Sequence, residues 1–98
     1  MSGILHRVER RPGQDYTDYT FWCAACKCGH WFRVGDAPVQ AKWWTFNGNT
    51  EKPTVTPSIR VTSHPITCCH LFITDGQIQY LADCTHELAG KTVPMEPF

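Results

Sequence analysis

Short stretches in which apolar and polar residues alternate, separated by turn signals, organise this chain. The clearest is Leu71-Phe72-Ile73-Thr74, then Asp75-Gly76, then Gln77-Ile78-Gln79-Tyr80-Leu81. Asp-Gly between alternating runs predicts a two-residue hairpin turn, because both turn positions need positive φ. Thr17 to Trp22 and Trp31 to Val34 read as a second pair of strands around a tight Cys-rich turn, and Arg11-Pro12-Gly13 as a turn before them. Trp43-Trp44-Thr45-Phe46 is a further short strand closed by Asn47-Gly48. Two prolines between Glu51 and Pro57 argue against a central strand there and for an edge or extended segment. Thr85 to Ala89 reads as one helical turn stopped by Gly90. The expected fold is mostly β, with small α content at most, built of compact antiparallel hairpins.

A length of 98 residues fits one domain, spanning 1–98, with residues 1–16 a polar, loosely ordered entry segment. At this size only about two thirds of the unfolded surface is buried, so the core is thin. Aromatics make up 12% of the chain, too many for a disordered tail. The bland reading of Trp22, Trp31, Trp43 and Trp44 is that they form the core. Nine basic residues balance nine acidic ones, which removes the electrostatic case for nucleic-acid or membrane-surface binding. No stretch approaches the ~20 apolar residues that span a bilayer.

Six Cys and five His are the informative excess. An even Cys count in a short chain means a disulfide framework or a metal site. The first residues, Met-Ser-Gly-Ile-Leu-His-Arg, lack the apolar run of a signal peptide, so a reducing cytoplasm is expected and metal is favoured over disulfides. Cys23-x-x-Cys26 is the usual first half of a zinc site. In the last hairpin, if Thr74 faces Gln77, alternation puts Cys69, Leu71, Ile73, Ile78, Tyr80, Ala82 and Cys84 on one face. Cys69 and Cys84 are then diagonal neighbours, and zinc held by Cys23, Cys26, Cys69 and Cys84 would tie the two hairpins together. The plain alternative is that Cys69 and Cys84 are small buried apolar residues. His30 and His86 are the replacements if one ligand of the four is wrong. Cys28 and Cys68 are not needed, and His6 and His64 read as solvated.

The opposite hairpin face carries His70 with Asp83 diagonal to it. A carboxylate beside an imidazole fixes its tautomer and raises its basicity, as a general base requires. The same pair also serves as an ordinary ion pair. Ser58, in a segment held extended by Pro53 and Pro57, could face His70 in a Ser/His/Asp arrangement. No G-x-S-x-G elbow surrounds it, and a turn or capping serine is the competing reading. A second catalytic route is an open zinc with Glu51 or Asp83 as base, which four thiolates would close off.

The motifs Phe21-Trp22-Cys23-x-x-Cys26-x-x-x-His30, Trp44-x-Phe46-Asn47-Gly48, Pro53-Thr54-x-x-Pro57-Ser58 and Cys69-His70-x-Phe72-x-x-Asp75-Gly76 continue into Asp83-Cys84-Thr85-His86 and Thr92-Val93. This pattern resembles a family of small Cys/His-rich proteins of phages and prophages, some labelled ammonia monooxygenase. Relatives of that family sit beside bacterial ubiquitin-like conjugation genes. The resemblance implies a peptidase processing a ubiquitin-like tail, with the family's polar positions on His30, Ser58, His70, Asp83 and His86. Cys28 and Cys68 depart from that pattern. The expectation is a cytoplasmic zinc-containing hydrolase acting on a protein, with Ser58 attacking, His70 as base and Asp83 orienting it. Its rivals are a non-catalytic phage zinc module that binds a host protein, and a single-stranded nucleic-acid-binding zinc ribbon.

Overall fold

The computed structural model describes residues 4–36, 43–62 and 68–98. Among these residues, eight strands form two antiparallel sheets. The first sheet contains β1 (His6–Arg7), β2 (Tyr16–Cys23) and β3 (Cys28–Gly35) in sequence order. The second contains β4 (Thr45–Phe46), β5 (Val55–Val61), β6 (Cys69–Thr74), β7 (Gln77–Tyr80) and β8 (Thr92–Pro94), also in sequence order. Strands adjacent in sequence pair throughout both sheets, with tight turns joining β2 to β3 and β6 to β7. The sheets meet where Trp44 bridges in parallel to Val34 and its backbone N–H donates to the Arg33 carbonyl at 2.9 Å. His64 lies outside the described residues.

The last hairpin has the register that the turn dictates: Thr74 pairs with Gln77, Ile73 with Ile78 and Leu71 with Tyr80. Asp75 and Gly76 take φ of 51° and 77°. Glycine serves a second purpose at position 76, because a Cβ there would sit 3.3 Å from the Lys52 Cα. Alternation buries Cys69, Leu71, Ile73, Ile78 and Tyr80 on the inner face, against Phe21, Cys23 and Phe32 of the first sheet. Leu5, ahead of β1, is buried in the same core, and Val8 N–H donates to the Asp18 carbonyl at 2.8 Å. The entry segment is therefore tied to β2 over these residues.

Four expectations change. β5 includes Pro57 and lies between β4 and β6 at Val55 and Thr56, so the segment is a central strand there and, among the described residues, is open on the β4 side only from Pro57 onward. It tolerates the proline because Pro57 falls in the register shift between Val55 and Ile59, where no ladder bond needs its missing N–H. Residues 85–90 form consecutive turns instead of a helical turn, with Ala89 N–H on the His86 carbonyl at 3.2 Å and Lys91 N–H on that of Leu88 at 2.9 Å. Gly90, at φ 77°, ends them as a left-handed residue. Ala82 is exposed, not inward, because β7 stops at Tyr80 and a turn bonds Cys84 N–H to the Leu81 carbonyl at 3.2 Å. The core aromatics are Phe21, Phe32 and Tyr80; none of the four Trp is fully buried, and Trp31 is half exposed. Trp31 belongs to the outward set of β3, where alternation leaves an indole in solvent.

Candidate functional site

Two groups of polar side chains lie back to back across the second sheet. On its outer face, β5 presents Ser58, β6 presents His70, and the turn after β7 presents Asp83. Arg60 pairs directly with His70, which makes Ser58 its diagonal neighbour on the same face. The Ser58 Oγ lies 2.8 Å from His70 Nε2. On the other side of the ring, Nδ1 lies 2.9 and 3.2 Å from the two Asp83 carboxylate oxygens. A carboxylate only accepts, so Nδ1 carries the proton and Nε2 is left to accept from the serine hydroxyl. The hydrogen bond from His70 holds the Asp83 carboxyl below its usual range, with the Coulombic pull of His70 and Arg60 acting in the same direction. The three residues assigned to this constellation in the sequence thus lie within hydrogen-bonding reach in the order Ser58–His70–Asp83.

Backbone contacts fix this line. The Trp44 indole N–H donates to the Ser58 carbonyl at 3.2 Å. Cys84 clasps the His70 backbone: its Sγ accepts from His70 N–H at 3.2 Å and donates to the His70 carbonyl at 3.1 Å. Thr85 ties the same turn to the start of β6, its backbone N–H donating to the Cys68 carbonyl at 3.1 Å. Cys68 N–H in turn donates to Thr85 Oγ1 at 3.2 Å. The placements of Trp44 and Thr85 have no signal in the sequence beyond their proximity to motif residues.

The inner face carries the thiols. Cys23, Cys26, His30 and Cys69 each bring a ligand atom to within 4.8 Å of all the others. Cys23 Sγ and Cys69 Sγ are 3.9 Å apart, close to the edge of a tetrahedron with metal–sulfur bonds of ~2.3 Å. Cys26 N–H donates to Cys23 Sγ at 3.4 Å across the knuckle, where Lys27 adopts φ 57°. The Tyr80 hydroxyl sits 3.2 Å from the same sulfur. Hydrogen bonding by Cys69 pulls the Cys23 thiol down to about 3. Burial and the Cys23 charge push Cys26 up to about 12, and the bond to Cys23 pushes Cys69 up. The thiols thus compete for negative charge, and a divalent ion bound among them would favour the thiolate form of each ligand.

His30 Nε2 is buried with no hydrogen-bond partner, as expected of a nitrogen reserved for an ion. Cys84, assigned to the four-ligand set from the hairpin register, falls instead in a second group with Cys69 and His86. His86 Nε2 is also buried and unpartnered, but its Nδ1 accepts from Leu88 N–H at 3.2 Å. Nε2 of that neutral ring therefore carries the proton and presents no lone pair to a metal. The first group fits a metal better than the second. Cys28 pairs with Cys23 across the hairpin but lies outside both groups.

An all-β domain of two small sheets, with a serine–histidine–aspartate line on one face and a cluster of thiols and imidazole behind it, is the class that fold and site define. The chain belongs to the BubE family, described as bacterial ubiquitination-like system serine proteases; the family model matches residues 2–81. Ser58, His70 and the Cys23, Cys26, His30, Cys69 group all lie inside the match, and Asp83 lies just beyond it. No curated protein and no solved structure matches the chain.

Proposed function

We propose that this protein is a serine peptidase in which Ser58 attacks the carbonyl of a protein substrate. The observation that carries the reading is the continuous hydrogen-bonded line from Ser58 Oγ through the His70 ring to Asp83. His70 Nε2 takes the hydroxyl proton as the Ser58 Oγ–carbonyl bond forms, and returns it to the leaving amine. Water then attacks the acyl-enzyme with His70 again as base, releasing the carboxylate and restoring the serine. Asp83 keeps Nδ1–H in place and stabilises the imidazolium that forms at each step.

The substrate class we favour is the tail of a ubiquitin-like protein, supported by the family's description. The compartment is the cytoplasm, where six unpaired thiols stay reduced. Zinc is the metal that a Cys/His set of this kind most readily takes, held by Cys23, Cys26, His30 and Cys69. Four protein ligands leave no open position for a water, so the ion's part is to hold β2, β3 and β6 together. The serine route is favoured over the metal-activated water because Asp83 is engaged with His70 on the far side of the sheet.

A fluorophosphonate, which phosphonylates an activated serine, tests the assignment directly. Intact-mass analysis and peptide mapping should place one adduct on Ser58, and none on the Ser58→Ala or His70→Ala proteins. Absence of an adduct on folded, metal-loaded protein would overturn the reading.

A further inference from the structure

β4 pairs with β5 only at Val55 and Thr56, so it flanks less than half of that strand. Its line runs between β3 and β5, since Trp44 bridges to Val34 on one side and Thr45 pairs with Thr56 on the other. Trp44 also lines a cavity of about 390 Å³ whose other walls are Gly29–Trp31 of β3 and Ile59–Thr62 at the β5 end. Three to four residues on each wall make a slot roughly 10–13 Å long at ~3.3 Å per residue. Among the described residues no strand occupies it.

The backbone groups on both walls point into it. His70 accepts from Leu81 N–H on the β7 side, and its own N–H goes to Cys84. The Arg60–His70 pair therefore exchanges no backbone bonds, and the Arg60 N–H and carbonyl face away from β6 toward the slot. On β2, the Asp18 carbonyl bonds to Val8 on the β1 side, so by the two-residue period Thr20 also faces β1. Its partner Trp31 then turns its N–H and carbonyl away from β2, as Arg33 does where its carbonyl accepts from Trp44. At its Trp44 end the slot approaches Ser58, whose carbonyl accepts from the Trp44 indole N–H at 3.2 Å.

We propose that an extended peptide segment enters this slot as an added strand, pairing with Arg60 on one side and Trp31 on the other, and is delivered to Ser58. The inference rests on the peptidase reading for the fate of the peptide, but not for its binding. Strand addition takes its affinity from main-chain bonds, and here two edges supply them. Such a site selects an unfolded, extended tail and rejects a helix or a folded loop.

The test uses full-length, ¹⁵N-labelled Ser58→Ala protein, which cannot cleave, and the peptide acetyl-Thr-Val-Thr-Val-Thr-Ala-amide. Two copies of the peptide carry N-methyl groups on the odd or the even residues. Amide exchange at Arg60 and Trp31 should slow by about tenfold on peptide addition. Because both edges pair, each methylated copy should bind about tenfold more weakly, the loss expected for one or two net hydrogen bonds. Equal binding by either methylated copy, binding that leaves the Arg60 and Trp31 amides exchanging freely, or no binding at millimolar peptide would overturn the proposal. Binding with these signatures alongside a Ser58 that fluorophosphonate does not label would refute the peptidase reading and leave the slot standing.

Discussion

Cys69 and His70 are consecutive residues of β6 whose side chains leave opposite faces of one sheet, the thiol into the buried Cys/His group and the imidazole onto Ser58 and Asp83. A strand gives them no choice, because its side chains alternate. Whatever fixes the thiol in position fixes the ring as well. Cys84 and Asp83 repeat the relationship in the turn after β7, with the thiol buried and the carboxylate outside.

The catalytic line predicts graded losses. Ser58→Ala and His70→Ala should each lower kcat by roughly 10³-fold or more against a cleavable ubiquitin-like fusion, with circular dichroism unchanged. Asp83→Asn should cost less than His70→Ala, about 10²-fold, since its carboxylate is largely exposed and its interaction with the ring is screened. Parental activity in Ser58→Ala would remove Ser58 as nucleophile.

Metal removal should unfold the pairing of the sheets. Cys69→Ser and His30→Ala should each release the bound ion, measured by elemental analysis, and lower Tm by ten degrees or more, the order expected when a small domain loses a structural metal. Cys84→Ser should retain the ion, because its sulfur is spent on the His70 backbone. It should instead lower kcat with a smaller change in Tm. Loss of the ion in Cys84→Ser would return Cys84 to the ligand set in place of His30.

The lowered Asp83 carboxyl sets a sign for pH dependence. A group whose folded pKa lies below its unfolded value of ~3.9 contributes stability above that value, and the contribution fades as pH falls through the folded pKa. The stability gap between the parent protein and Asp83→Asn should therefore be steady from neutral pH down to about pH 5 and close below pH 4. Urea titrations at stepped pH measure it. A gap that stays constant from neutral pH to below pH 3 would mean that folding does not lower the Asp83 carboxyl.

In the core, Leu71 is fully buried between the sheets. Leu71→Ala should cost about 2–5 kcal/mol by denaturant unfolding, a large fraction of what a domain this small has to lose. An effect near zero would mean that the two inner faces do not pack as one core.

The parts legible in the sequence were those governed by local rules. Asp75-Gly76 fixed a register, the two-residue period put Cys69 and His70 on opposite faces, and Asp83 reaches the His70 side from the turn beyond β7. What escaped depended on contacts between distant segments. Pro57 reads as a barrier to a central strand until the register shift absorbs it. Cys84 alternates correctly as far as Tyr80, after which a turn redirects it toward the His70 backbone. Trp44 reads as core, yet its indole N–H is used at the Ser58 carbonyl. Nothing in residue type or spacing encodes which of several polar partners a tryptophan will find.

His70 and Asp83 are 22% and 52% exposed at their side chains, so among the described residues this line of three reaches solvent on a sheet surface. Water competes there for every charge that the reaction creates, and an imidazolium forming beside a hydrated carboxylate gains little from it. A macromolecule settling over β5 and β6 would itself expel that water and raise the value of each hydrogen bond. If the line is catalytic, a macromolecule bound across this face becomes part of the site in which it reacts.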